Sequence, residues 1–441
     1  MSKPSLPSND APVFTLAADN LFPSKARLDR LADIPPSRMF LIKKSLAAFK
    51  EKQPGKAIFD ASQGDGGASL PGVPREILAQ AAEMQIEHGT AYTMPYGTAE
   101  FRRAVIEDYW KVDSGLGIGP QNVVATVGGR DALIKAYQAI LALGHGCQGD
   151  VLLVSRVPWI SYNWGAYSVG ANTLLAPGHP ENAWAYTADG IRESVRFAAR
   201  AGRRVAALVI TSPDNPTGRT LPISEQAALA RTALQTGAAF VIFDWIYHYV
   251  TDQQPYDLNA MLEQFSPAER QRLIFMDGIT KSLGGSNIRN AHLIASQQVI
   301  DFITARASHG VFPSFYSIAV AMAAYQQGYR QATRGIVQPT SQSRQVLRAF
   351  LDENGFRYIM GQGYYAFIEV RPWLERVGWQ DTAPLGEYLA KEHGLAVVPG
   401  AFVSPFGKDW IRFSYAQPPE RTLAAAQRLL EGLHALQDAA G

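Results

Sequence analysis

Short apolar runs alternate with stretches of helical spacing over much of the chain. The run Val123-Val124-Ala125-Thr126-Val127 precedes a pattern in which Leu133, Ala136, Tyr137 and Ile140 fall on one face, as in a strand followed by a helix. Residues 151–154, 205–211, 239–243, 273–276 and 291–295 form further strand-like runs, and residues 225–236 have helical spacing. Runs this uniformly apolar suit strands covered on both faces. The alternation therefore predicts an α/β fold, with a largely parallel sheet flanked by helices. In such sheets ligands gather at the carboxyl ends of the strands.

The two ends of the chain have a different texture. Residues 1–55 read as an N-terminal arm and a helix containing residues 39–50, with Ser37, after Pro35-Pro36, as its candidate cap. Toward the C-terminus a helix at 341–354 leads into a strand at 364–370 and a helix at 384–393. Strands at 395–398 and 410–415 and a closing helix at 420–439 follow. The expected organisation is an arm and helix over 1–55 that pack with a small domain, a large domain over 56–325, and a smaller α+β domain over 326–441.

Composition narrows the class. Of the 441 residues, 47% are apolar and 18% charged, which is globular rather than disordered. The formal charge of +2 gives no basic field, so nucleic acid is not an implied partner. Cys147 is the single cysteine, which excludes an internal disulfide framework and a cysteine-based zinc cluster and fits a reducing compartment. Residues 1–12 are polar and proline-rich without the apolar core of a signal peptide, and no uncharged apolar run reaches membrane-spanning length. The expectation is a cytoplasmic protein with no membrane partner.

The polar residues that follow the apolar runs carry the candidate chemistry. Lys281 lies in Asp277-Gly278-Ile279-Thr280-Lys281-Ser282-Leu283-Gly284-Gly285, with Arg289 eight residues later. A lysine in such a loop can be desolvated into its neutral, nucleophilic form, and the arginine can hold an anion. A solvated loop lysine beside a surface arginine is the alternative. Asn215 follows a strand in Ser212-Pro213-Asp214-Asn215-Pro216-Thr217-Gly218. The prolines and glycine of that tract fix a turn. Asp244 ends an apolar strand, where a carboxylate needs a partner such as a protonated ring nitrogen, and Tyr247 is three residues on. In Val127-Gly128-Gly129-Arg130 a strand gives way to a helix, whose free N–H groups attract phosphate. Trp159 follows another strand and offers either a stacking face or ordinary core packing.

In this order the Asn-Pro-x-Gly tract, the Asp-x-x-Tyr pair and the Lys-x7-Arg segment resemble the aspartate aminotransferase-like superfamily, the fold-type I pyridoxal 5′-phosphate enzymes, and within it the class I/II aminotransferases. The resemblance runs from about residue 57 to 415. It implies a large domain with a mostly parallel mixed sheet plus a smaller α+β domain. It also implies pyridoxal 5′-phosphate as cofactor and amino transfer between an amino acid and a 2-oxo acid. Lys281 would form the Schiff base and move the substrate α-proton, while Asp244 would hold the ring nitrogen protonated. Asn215 and Tyr247 would hydrogen-bond the ring oxygen and Trp159 would stack on the ring. Arg289 with the N–H groups of Gly129 and Arg130 would bind the phosphate. Tyr92 matches the tyrosine that reaches the neighbouring subunit's phosphate, which implies a homodimer with shared active sites. Arg412 matches the arginine for the substrate α-carboxylate, and Gly64 matches a glycine that approaches the substrate.

The chain departs from the family pattern in places. Gly278 stands where a hydroxyl residue commonly donates to the phosphate, and Arg130 is a candidate to replace that donor. Asn287, Asn290-Ala291-His292 and His248 are also unusual. These departures keep a second reaction class open, namely elimination, cyclisation or carbon–carbon bond formation. A cofactor-sensing regulator is disfavoured by the absence of a helix-turn-helix pattern in the short leading segment. Phe312, Phe315, Tyr316, Tyr364 and Tyr365 read as core in preference to a pocket wall.

Overall fold

A computed structural model describes residues 7–15, 38–144 and 150–438. Ser37, Cys147 and Ala439 lie outside the described residues. The strands in chain order are β1 (Val13–Phe14), β2 (Phe59–Asp60), β3 (Val123–Thr126), β4 (Val151–Val154), β5 (Asn172–Leu175), β6 (Val205–Thr211) and β7 (Phe240–Asp244). They continue as β8 (Leu273–Gly278), β9 (Ala291–Ala295), β10 (Tyr358–Met360), β11 (Tyr365–Glu369), β12 (Leu395–Ala396), β13 (Val398–Pro399) and β14 (Trp410–Ser414).

The main sheet has eight strands in the order β1-β5-β4-β6-β7-β8-β9-β3. Strands β5, β4, β6, β7 and β8 run parallel; β1 and β9 join antiparallel at the two sides, and β3, antiparallel to β9, runs in the direction of the central strands. Both faces are covered. On β8, Phe275 packs into one apolar cluster and its neighbours Ile274 and Met276 into the other. That is why the central strands read as unbroken apolar runs rather than alternating ones. Helices such as Gly129–Leu143 and Ile223–Thr236 cover the faces, and their buried positions repeat at helical spacing.

A second sheet, β10-β11-β14-β13, is antiparallel throughout. Its core joins Ile411 and Phe413 to Leu347 and Leu351 of the helix Arg334–Glu353 and to Leu429 and Leu433 of the helix Pro419–Asp438. The helix Met39–Lys52 buries Ile42 and Leu46 against Ala390 and Ala396, and β2 pairs with β12.

Two expectations change. The helix expected at 341–354 begins at Arg334, with Pro339 inside it, so a residue that commonly marks a helix boundary misplaces the start. The single strand expected at 395–398 is two strands in different sheets, β12 beside β2 and β13 beside β14. An apolar run cannot reveal that its halves pair with different partners. Among the described residues, no helix is long and apolar enough to cross a membrane.

Candidate active site

The carboxyl ends of the parallel strands open onto a cleft of about 540 Å³, lined by residues including Gly64, Gly129, Arg130, Trp159, Asn215, Asp244, Tyr247, Lys281 and Arg289. Nine of the residues singled out from the sequence thus share one cavity. Arg412 stands directly behind it on β14, and Tyr92 does not enter it.

Lys281 sits in a single helical turn, Ile279–Ser282, that follows β8, where a loop was expected. Its Nζ donates to the Gly64 carbonyl at 2.5 Å, and burial lowers its basicity. Asp244 closes β7. Its carboxylate accepts the Tyr162 hydroxyl at 2.6 Å and the Ile246 N–H at 3.2 Å. Burial is the main influence on it and lifts its pKa from 3.8 to about 6, against the lowering effect of the Tyr162 bond. A cation in the cleft would relieve that penalty.

The phosphate-like corner is formed where β3 gives way to the helix Gly129–Leu143, whose first N–H groups have no side-chain cap. Arg289 is pinned beside it by bonds to the Val127 and Ser286 carbonyls, both at 3.0 Å. A Cβ at Gly128 would lie 2.5 Å from the Arg289 guanidinium, so only glycine allows the arginine this close. The Arg130 guanidinium lies 5.6 Å from the Trp159 ring centroid, on the same wall. Gly278 has a steric reason. A Cβ there would meet Ala291 Cα and Cβ at 2.6 Å, so no hydroxyl side chain fits. Thr280, two residues on, lines the cleft with a buried hydroxyl that has no partner.

Behind Asn215, Arg412 donates to Asn215 Oδ1 at 2.8 Å and to the Ser62 carbonyl at 2.6 Å, and its guanidinium lies 4.4 Å from the Tyr365 ring centroid. Its Nε is buried and unpartnered. The Tyr247 and Tyr365 hydroxyls are 2.9 Å apart. A Cβ at Gly64 would fall 1.6 Å from the Tyr365 hydroxyl, so the glycine is what admits that phenol. Tyr92 is 93% exposed and rests its ring edge-on to Phe312, at 6.2 Å between centroids.

Sequence reasoning missed Tyr162, Thr280 and the site contacts of Tyr364 and Tyr365. Tyr364 donates to the Lys281 carbonyl at 2.6 Å. Both tyrosines are buried, as the core reading had them, but their hydroxyls face the site. The only signal was the choice of tyrosine over phenylalanine at buried positions, since a buried hydroxyl needs a partner.

The donor set fits pyridoxal 5′-phosphate. Two guanidinium groups, a helix N-terminus and the unpartnered Thr280 hydroxyl suit a phosphate, and the Trp159 face suits a flat ring. A buried carboxylate suits a ring N–H, and an amine of lowered basicity suits an aldehyde.

Residues 56–429 match the family model for Aminotransferase class I and II. The chain belongs to this family. It is a pyridoxal 5′-phosphate-dependent aminotransferase. Among curated proteins it is 25% identical over 421 residues to the aspartate aminotransferase of Geobacillus stearothermophilus, covering 93% of this chain and 98% of that one. It is 27% identical over 361 residues to the aspartate/prephenate aminotransferase of Thermus thermophilus, covering 80% and 86%. Among solved structures, the Thermus thermophilus aspartate aminotransferase with maleate matches with a TM-score of 0.75 at 24% identity, over 90% of this chain and 97% of that chain. This last likeness bears on the fold.

Proposed function

We propose that this aminotransferase moves an amino group between an amino acid and a 2-oxo acid, with Lys281 as the amine that holds the cofactor and carries the proton. When bound, pyridoxal 5′-phosphate supplies an electron-withdrawing ring that acidifies the substrate Cα–H. Asp244 keeps a proton on the ring nitrogen, and Tyr162 orients its carboxylate. Asn215 and Tyr247 take the ring oxygen, and Trp159 covers the ring face. Arg289, Arg130, the Gly129 N–H and Thr280 hold the phosphate, with Thr280 and Arg130 replacing the hydroxyl that Gly278 lacks. Arg412 takes the substrate carboxylate, and Asn215 and Ser62 keep its guanidinium plane fixed. The Lys281 amine would take the proton from the substrate Cα and deliver it to the cofactor carbon, a 1,3 shift.

The observation that carries this reading is the cleft itself: a half-buried lysine of lowered basicity, a buried carboxylate of raised pKa and a fixed arginine share one cavity. We further infer a cytoplasmic homodimer. Exposed Ile86, Tyr92, Met94 and Val311 provide apolar surface for a second copy, and the lone Cys147 suits a reducing compartment. The separate core around the second sheet, which takes in Phe59 and Ala61 and otherwise starts at Leu347, supports a small domain drawn from both ends of the chain.

The test is to incubate the loaded enzyme with a panel of amino acids, aspartate first because of its named relatives, and to follow the cofactor absorbance and the oxo acid formed. Amino transfer predicts an absorbance change reversed by an oxo acid. Ammonia release or a cyclic product would refute it.

A further inference from the structure

The departures at His248 and His292 meet at a third residue. Asp277 lies on β8 one position past Met276, the register partner of Asp244, and itself pairs in register with His292 on β9. It is buried together with His248, His292, Tyr109 and Trp110. The His248 Nδ1 accepts the Tyr256 N–H at 3.2 Å, so its proton is on Nε2, which donates to Asp277 Oδ2 at 2.8 Å. The Tyr109 hydroxyl donates to the same oxygen, and the Gly278 N–H donates to Oδ1 at 2.6 Å. His292 accepts the Trp110 indole N–H at 2.8 Å, and burial lowers its pKa to about 4, so it is neutral. The Asp277 carboxylate thus accepts from three donors of its own chain. The other titratable side chains packed round it are Tyr249, Tyr325 and Tyr329.

Two of the three donors belong to the site's own turns. Gly278 opens the turn that carries Lys281, and His248 follows Tyr247 in the turn after β7. We propose that Asp277 is a positioning residue that ties the Lys281 turn to the Tyr247 turn through the Gly278 N–H and the His248 ring. Its charge also acts on Asp244, whose pKa it raises. An amide at 277 would turn a donor toward His248 and Tyr109, and His248 could accept it only by facing its other N–H against that of Tyr256.

The inference rests on Lys281 as the cofactor-holding lysine, and the experiment separates the two. The visible absorbance of the bound cofactor is titrated against pH in wild type, Asp277→Asn, Tyr109→Phe and His248→Asn holoenzyme, with melting of each apoprotein as the control for folding. Replacing the carboxylate by a neutral amide should move the Asp277→Asn midpoint down by roughly half to one pH unit. The kcat of Asp277→Asn should fall roughly tenfold with KM within about twofold, the pattern of misplaced chemistry rather than lost binding. If Asp277→Asn does not fold, the other two variants decide by a smaller fall in kcat with KM nearly unchanged. A midpoint that is unchanged or raised in folded Asp277→Asn, or an unchanged kcat in the other two variants, overturns the inference. If borohydride does not fix the cofactor to wild-type Lys281, the underlying reading fails instead.

Discussion

Two buried carboxylates end neighbouring strands of the same sheet, and their surroundings differ. Asp244 faces the cleft, has two donors and is driven by burial toward its protonated form. Asp277 is sealed behind the cleft and has three donors of its own. A carboxylate left under-partnered at the edge of a cavity is one waiting for a cation, whereas a carboxylate fully supplied by its own chain is part of the frame.

The difference can be broken by substitution. The largest effect should come from Asp244→Asn, which removes the partner of the ring nitrogen. We expect kcat to fall by roughly 100- to 1,000-fold, the range for losing one preorganised electrostatic group. Asp277→Asn should cost much less, and equal losses at the two positions would erase the distinction.

Stability sharpens the same contrast. The raised pKa of Asp244 means that the folded apoprotein holds that proton more tightly than the unfolded chain. The stability this confers is fully present below pH 3.8 and is lost as pH rises through about 6. Above that the ionised carboxylate, without a cation beside it, costs about 3 kcal/mol. Apo Asp244→Asn should therefore be more stable than wild-type apoprotein at pH 7 by roughly 1–3 kcal/mol in urea unfolding, with the gain shrinking toward pH 4. A destabilised variant would show that the Asp244 bonds outweigh its desolvation.

Smaller effects lie at the flanks. Arg130→Ala should weaken cofactor retention by roughly tenfold in dialysis, from the loss of one charged contact to phosphate, and unchanged affinity would remove Arg130 from the phosphate site. Tyr162→Phe removes a bond that lowers the Asp244 pKa. The pH at which the apoprotein loses stability should then rise above 6, with kcat down by only a fewfold.

Much of this was legible in the sequence wherever one segment carries its own signal. Strands β6, β7 and β8 were visible because burial on both faces leaves them wholly apolar, and Asn215, Asp244 and Lys281 because each follows such a run. Strand β5 was not visible, since it begins with Asn172-Thr173, and neither was the two-residue β1. The contacts missed in the site join distant segments. Tyr162 and Asp244 are 82 positions apart, and Tyr247 and Tyr365 are 118 apart. His248 and His292 stood out singly, but only the pairing of β8 with β9 brings them to Asp277. The absence of a hydroxyl at Gly278 likewise has its cause in Ala291, on the next strand.

The central claim is that Lys281 holds the cofactor in the cleft in front of Asp244. Its most direct test is borohydride reduction of the loaded enzyme followed by peptide mass spectrometry. The cofactor mass should appear on the peptide containing Lys281 and be absent from Lys281→Ala. A label on a different lysine of the wild-type enzyme, or no label at all, would contradict the assignment.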